Sequence, residues 1–207
     1  MTILLIIITS IISIIAFSNR DLFAKLQFNA YLVIQRKQWY RLISHGFVHA
    51  NWSHLLVNMF VLYFFGSTTE EELFKLADYD IVSFPILTYI LFYFSALIIS
   101  SSISLAKHKD DHWYNAVGAS GAVAAVLYFS IFFDPWSSLR LYFFIPIPAI
   151  VFAILYIVYS HYMGRKGQDN IGHEAHLMGA VYGFIFPLFI DLDLIKVFIH
   201  ELINIHM

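Results

Sequence analysis

Four polar residues open apolar runs in this chain of 207 residues: His54 and Asn58 in one run, Ser120 in a second and His176 in a third. A polar or ionisable side chain at membrane depth is expensive to keep, and by default it marks function. The four residue types also fit one another chemically. A serine hydroxyl becomes a nucleophile when a neighbouring imidazole takes its proton. An asparagine amide and a second imidazole donate hydrogen bonds of the kind that hold a developing oxyanion.

Spacing supports this grouping. Ser120 stands between Gly118 and Gly121 in Asn115-Ala116-Val117-Gly118-Ala119-Ser120-Gly121-Ala122. Glycines let backbone come close, and a helix start offers free N–H groups to negative charge. The competing explanation is helix packing through small residues. The stretch is not the G-x-S-x-G elbow of soluble hydrolases, because position 122 is alanine. His176, Gly179 and Gly183 share one helical face at i, i+3 and i+7. Gly121 and Ala125 form a second small pair, so the two helices can meet backbone to backbone and bring His176 to Ser120. A packing histidine bonded to a carbonyl is the alternative for His176. Glu174 lies on a different face, which predicts a Ser–His dyad without a carboxylate. His54 and Asn58 are i, i+4 on one face. His45 and His49 precede them in a loop and read as structural donors or acceptors to backbone. A zinc site built from His45, His49, His54, His173 and His176 competes with the serine reading. It lacks H-E-x-x-H, cysteine and a carboxylate at depth.

The elements that must position these residues are membrane helices. Hydrophobic residues make up 60% of the chain and charged residues 13%, against about 45–50% and 25% in soluble domains. This predicts an all-α, polytopic membrane protein folded as one domain over residues 1–207. Six apolar segments can be drawn, at about Thr2–Phe17, His54–Leu76, Phe84–Ala106, Gly118–Phe133, Pro146–Met163 and Gly172–Ile190. The first lacks the basic flank and cleavage site of a signal peptide and reads as a retained helix. Pro146 and Pro148 are expected in the first turn of the fifth helix. The connections after the second to fifth helices are expected to be short. The first loop, 18–53, mixes aromatics with bases and is expected to lie in the headgroup region, Arg41 bonding carbonyls or lipid phosphates. The tail, 191–207, is expected along the interface or packed as a last helical turn. With six spans, the second, fourth and sixth run in one direction, so all four polar residues lie at one depth beneath the odd-numbered loops. The absence of cysteine excludes disulfides and thiolate chemistry, and a net charge of −2 gives no nucleic-acid signal.

Five motifs in order carry a resemblance: Trp39-Tyr40-Arg41, His45-Gly46-Phe47-Val48-His49, His54-Leu55-Leu56-Val57-Asn58, Gly118-Ala119-Ser120-Gly121 and Ala175-His176-Leu177-Met178-Gly179. Together the chain resembles the rhomboid intramembrane serine proteases. The resemblance implies a six-transmembrane-helix bundle, Ser120 as nucleophile, His176 as base, and Asn58, His54 and the Ser120 N–H as oxyanion donors. It implies transmembrane protein substrates that enter laterally past the second and fifth helices, a lipid environment, and no cofactor or metal. Gly66 and Glu70 match a pattern of structural type. One position departs: many members carry an aromatic residue four after the serine, stacked under the catalytic histidine, where this chain has Ala124. His176 must then be oriented by closer helix packing or by an aromatic from elsewhere.

Sidedness divides the signals. Nine Lys and Arg lie in odd-numbered loops and three on the opposite side, which by the positive-inside rule sets the site toward the cytoplasm. The resemblance implies a cell inner membrane, cytoplasmic termini and a site facing outward. We follow it, because five of the nine charges sit in the interfacial first loop. The rival from another class is a non-catalytic protein of the same fold that binds membrane helices. Such proteins typically lose the serine or the histidine, and both are present here.

Overall fold

A computed structural model of the chain describes residues 1–141, 145–166 and 172–204. The long elements are α1 (Thr2–Ser18), α5 (Trp52–Asp78), α6 (Pro85–Ser100), α8 (Ser120–Phe133), α9 (Ala149–Lys166) and α10 (His173–Ile190). Short helices α2 (Arg20–Leu26), α3 (Ala30–Gln35) and α4 (Arg41–Ser44) fill the first loop, α7 (Ser102–Lys107) continues α6, and α11 (Leu194–Ile203) ends the described chain. The stretch Pro85–Lys107 is long and apolar enough to cross a membrane, and Thr2–Ser18, Ser120–Phe133 and Ala149–Gly164 are shorter apolar helices. Together these make an all-α membrane fold.

Helix α8 is the axis of the bundle. Every residue from Gly121 to Phe132 is buried, as expected for a helix apolar all round. It has 14 residues, or roughly 21 Å at 1.5 Å per residue. That is shorter than a hydrocarbon core of about 30 Å. Helix α10 lies against α8 with backbone touching backbone. A Cβ built on Gly179 would fall on the Gly121 carbonyl, and one on Gly183 on the Ala125 carbonyl.

The first loop is folded. Asn19 and Asn29 cap α2 and α3 by accepting from Leu22 N and Leu32 N. Arg41 is buried, and its Nη1 donates to the carbonyls of Ala24 (2.9 Å) and Gln27 (2.6 Å). Carbonyls are one of the two kinds of partner expected for it. Asn29 Nδ2 donates to the carbonyls of His112 and Tyr114, and Phe28 pairs with Ala116, tying this loop to the strand of chain that leads into α8.

The fifth helix begins later than expected. Pro146 and Pro148 lie in a strand, β2 (Ile145–Pro148), paired antiparallel with β1 (Ser138–Leu141). The reason is local: a proline forces the residue before it out of the helical region, and Ile145 and Ile147 each precede one. The ladder is prolonged by Ala149 N donating to Ser137 O and Ile150 N to Pro135 O, and α9 starts only at Ala149. The short connection expected after the fifth helix includes 167–171, which lie outside the described residues, as do 205–207 of the tail. The rest of the tail forms α11, whose Phe198 stacks on Phe132 and meets Phe184 edge-on.

At the opposite end from Ser120, Glu70 accepts from Thr2 N (3.0 Å) and Thr2 Oγ1 (2.9 Å). A Cβ on Gly66 would strike the Thr2 methyl and the Tyr89 hydroxyl. Gly66 and Glu70 thus lock α1 and α6 to α5.

Candidate active site

Ser120 is the first residue of α8 and no side chain caps that end. The N–H groups of a first helical turn have no partner within the helix, so the start of α8 is a ready acceptor of negative charge. Ser120 is half-buried, and the residues leading into it, Gly118 and Ala119, are buried against the first loop.

The turn before Ser120 is held from three directions. Gly118 has φ +113°, a conformation glycine adopts freely, and a Cβ there would overlap the His54 ring. Gly118 N donates to His45 O at 2.9 Å. Ala119 N donates to His49 Nε2 at 3.4 Å. An acceptor Nε2 means that the proton of this neutral ring sits on Nδ1, 2.9 Å from Ser13 Oγ. Ser13 Oγ in turn donates to Phe47 O at 2.8 Å. The chain of bonds runs in one sense, from the Ala119 peptide through His49 to α1 and back to the first loop. His49 therefore bonds to backbone, as expected from sequence, although its link to Ser13 was not legible there; the His45 bond to this turn is made by its main-chain carbonyl, and its Nε2 is buried without a hydrogen-bond partner among the described residues.

Both rings are held neutral. Burial pushes His45 down to about 4, against the opposing pull of the Gly118, Leu97 and Leu42 carbonyls. Burial, with smaller contributions from His54 and His45, pushes His49 down to about 3. In an unfolded chain each titrates near 6.5. Stability is then full above about pH 6.5 and is lost as pH falls toward 4, because the unfolded chain binds protons that the native rings refuse. The midpoint of thermal unfolding in detergent is expected to drop across that interval, and His49→Gln to flatten the drop; a profile unchanged between about pH 6.5 and 4 would contradict it.

The other predicted residues converge on the same place. His54 is the third residue of α5, whose start is capped by Asn51 Oδ1 accepting from His54 N at 2.9 Å. Its ring lies against Gly118 and edge-on to His49, with centroids 5.0 Å apart. Asn58 is buried one turn further on, and its Nδ2 donates to His54 O at 2.8 Å. That bond uses one of its two amide protons. His176 is the fourth residue of α10 and lies within electrostatic reach of His54. A Cβ on Gly121 would stand 3.3 Å from the Ala175 carbonyl, so 120–121 and 175–176 face each other across the helix interface. Among the described residues no hydrogen bond joins Ser120 to His176. Catalytic hydrogen bonds are often long in an empty site and tighten with substrate.

Glu174 is engaged elsewhere, in an ion pair with Lys107 of α7. No group of three or more His, Asp or Glu among the described residues is arranged to hold a metal ion. The aromatic residue missing at Ala124 has a counterpart from another helix: Tyr156 of α9 lies over the His176 ring, 6.2 Å between centroids and 27° between planes. Sequence reasoning left that partner unnamed, because spacing along α9 says nothing of which ring meets α10.

The site is thus a polar cluster near the starts of three helices, α5, α8 and α10, of an all-α membrane fold. Residues 36–191 match the family model described as Rhomboid domain, and the chain belongs to the rhomboid family. It is similar to RHOMBOID-like protein 12, mitochondrial, of Arabidopsis thaliana, 32% identical over 148 residues, which cover 70% of this chain and 44% of that protein. It is also similar to Rhomboid-like protein 11, chloroplastic, of the same plant, 48% identical over 42 residues, 20% of this chain and 15% of that protein. The chain thus matches less than half the length of either relative.

Proposed function

We propose that the protein is an intramembrane serine endopeptidase that cuts transmembrane segments of other membrane proteins with a Ser120–His176 dyad. The bundle is read as six spans formed by α1, α5, α6 with α7, α8, α9 and α10. The observation that supports the proposal is the glycine seam between α8 and α10, where a Cβ on Gly121, next to Ser120, would stand 3.3 Å from the carbonyl of Ala175, next to His176.

On this reading His176 removes the proton of Ser120 Oγ as the oxygen attacks the scissile carbonyl. The oxyanion is held by Asn58, His54 and the free N–H groups at the start of α8. His176 then gives its proton to the leaving amine, whose C–N bond breaks. Water, deprotonated by His176, hydrolyses the ester to a carboxylate and restores Ser120. A transmembrane helix keeps its peptide bonds in its own hydrogen bonds, so substrates are segments weakened by Gly, Pro or small residues near the membrane surface, entering past α5 and α9. The site is read as facing outward from the membrane, on the side away from α11. That membrane is a cell inner membrane or, by analogy with the relatives' names, an organelle membrane.

The test is a serine-directed fluorophosphonate probe with cleavage mapping on single-span substrates. Labelling and cutting that both vanish in Ser120→Ala support the enzyme. A folded, unlabelled protein that binds the substrates returns the helix-binding reading. Asn58→Ala is expected to lower kcat about 10²–10³-fold, the usual loss for one oxyanion donor, and the same assay measures it.

A further inference from the structure

The imidazole of His176 makes no hydrogen bond to any described residue, so its orientation is a matter of packing. Two rings touch it. His173, one turn earlier on α10, meets it edge-on at 6.2 Å and 79°. Tyr156 comes from α9 and lies nearly parallel to it at 6.2 Å and 27°, within the range of an offset aromatic pair. One turn beyond Ser120, α8 carries Ala124, which has no ring to stack on His176.

Tyr156 is itself held in place. Phe152 stacks on it at 5.8 Å and 23°, and Tyr128 of α8 meets it at 6.2 Å. Tyr128 Oη donates to Ala153 O at 2.6 Å, a buried bond that pins α9 to α8 just before Tyr156. On the other side of α9, Ile154, Leu155, Val158 and Tyr159 are more than half exposed, although Tyr159 also meets His173 of α10 edge-on at 5.7 Å.

We infer that Tyr156 is the positioning residue for His176: its ring holds the imidazole plane with a nitrogen turned to Ser120, and it does so only while α9 is seated on α8. This role rests on the Ser120–His176 reading. It makes the base conditional on a helix that is exposed over much of its surface. A substrate that displaces α9 on entry releases the base, and reseating restores it.

The experiment uses the full chain in detergent and in proteoliposomes. The His176 ring signal is followed by NMR, assigned by its loss in His176→Gln, alongside fluorophosphonate labelling, kcat and KM. Tyr156→Phe keeps the ring and is expected to leave the signal and kcat within about twofold of wild type. Tyr156→Leu keeps bulk without a ring, and is expected to move the signal and lower kcat roughly tenfold or more with KM little changed, in line with the cost of small misplacements. Tyr156→Ala repeats the loss. A Tyr156→Leu protein as stable as wild type, with an unmoved signal and full kcat, overturns the inference, as does Tyr156→Phe behaving like Tyr156→Leu. Wild-type protein that neither labels nor cleaves overturns the dyad reading, and this role with it.

Discussion

Ser120→Ala is expected to lose proteolysis and probe labelling together, by about 10⁴-fold or more, with the folded protein otherwise unchanged. The size follows from the chemistry. Without the hydroxyl there is no acyl-enzyme, and what remains is the help that the oxyanion donors give to water. His176→Ala is expected to match it, because an unactivated serine is a weak nucleophile near neutral pH. The double variant is the sharper measurement. Residues that act as one unit lose little more when both are removed than when either is, so Ser120→Ala/His176→Ala should sit at the level of the single variants. Losses that multiply would mean independent roles. Purified Ser120→Ala that cleaves at the wild-type rate would refute the dyad.

Gly183→Ala is expected to be the most damaging single methyl in the protein, with Gly179→Ala close behind. Intrinsic propensity points the other way, since alanine gains about 1 kcal/mol over glycine within a helix. The tertiary contact decides the sign. The new Cβ would land on the carbonyl of Ala125, or of Gly121 for position 179, and these are backbone atoms that no rotamer change can move. The helices must part by on the order of 1 Å, which forfeits up to half the dispersion along the contact. Overpacking of this kind costs about 1–3 kcal/mol or more. It also draws His176 away from Ser120. The check is thermal unfolding and probe labelling of each variant beside Gly164→Ala, where a Cβ has ordinary clearance of 3.4 Å from His173. If Gly183→Ala is as stable and as active as Gly164→Ala, the seam does not hold the site together.

The helices were largely legible because each has a local cause. Segments drawn at His54–Leu76 and Gly172–Ile190 correspond to α5 and α10, whose ends differ by a residue or two where Asn51 and Gly172 act as caps. The start of α9 was misread, although its cause is local: Ile-Pro-Ile-Pro satisfies the first-turn rule for proline but breaks the rule for the residue before each proline, and the second rule prevailed. The small faces were legible too, since Gly179 and Gly183 recur at helical spacing and Gly121 and Ala125 answer them.

Sequence alone therefore pointed to an all-α membrane fold, to its apolar helices, to Ser120, His176, His54 and Asn58 as candidate site residues, and to the small-residue seam between two of those helices. These follow from composition and from periodicity along one chain. Only the tertiary structure decided that His49 bridges the Ala119 peptide to Ser13, that Glu174 is taken by Lys107, and that Tyr156 rather than a residue of α8 covers His176. Each of those pairings spans at least 20 positions of chain or joins separate helices. Which side chain fills a gap between helices depends on their rotation and height, and these are set by the packing of the whole bundle, to which no local spacing has access.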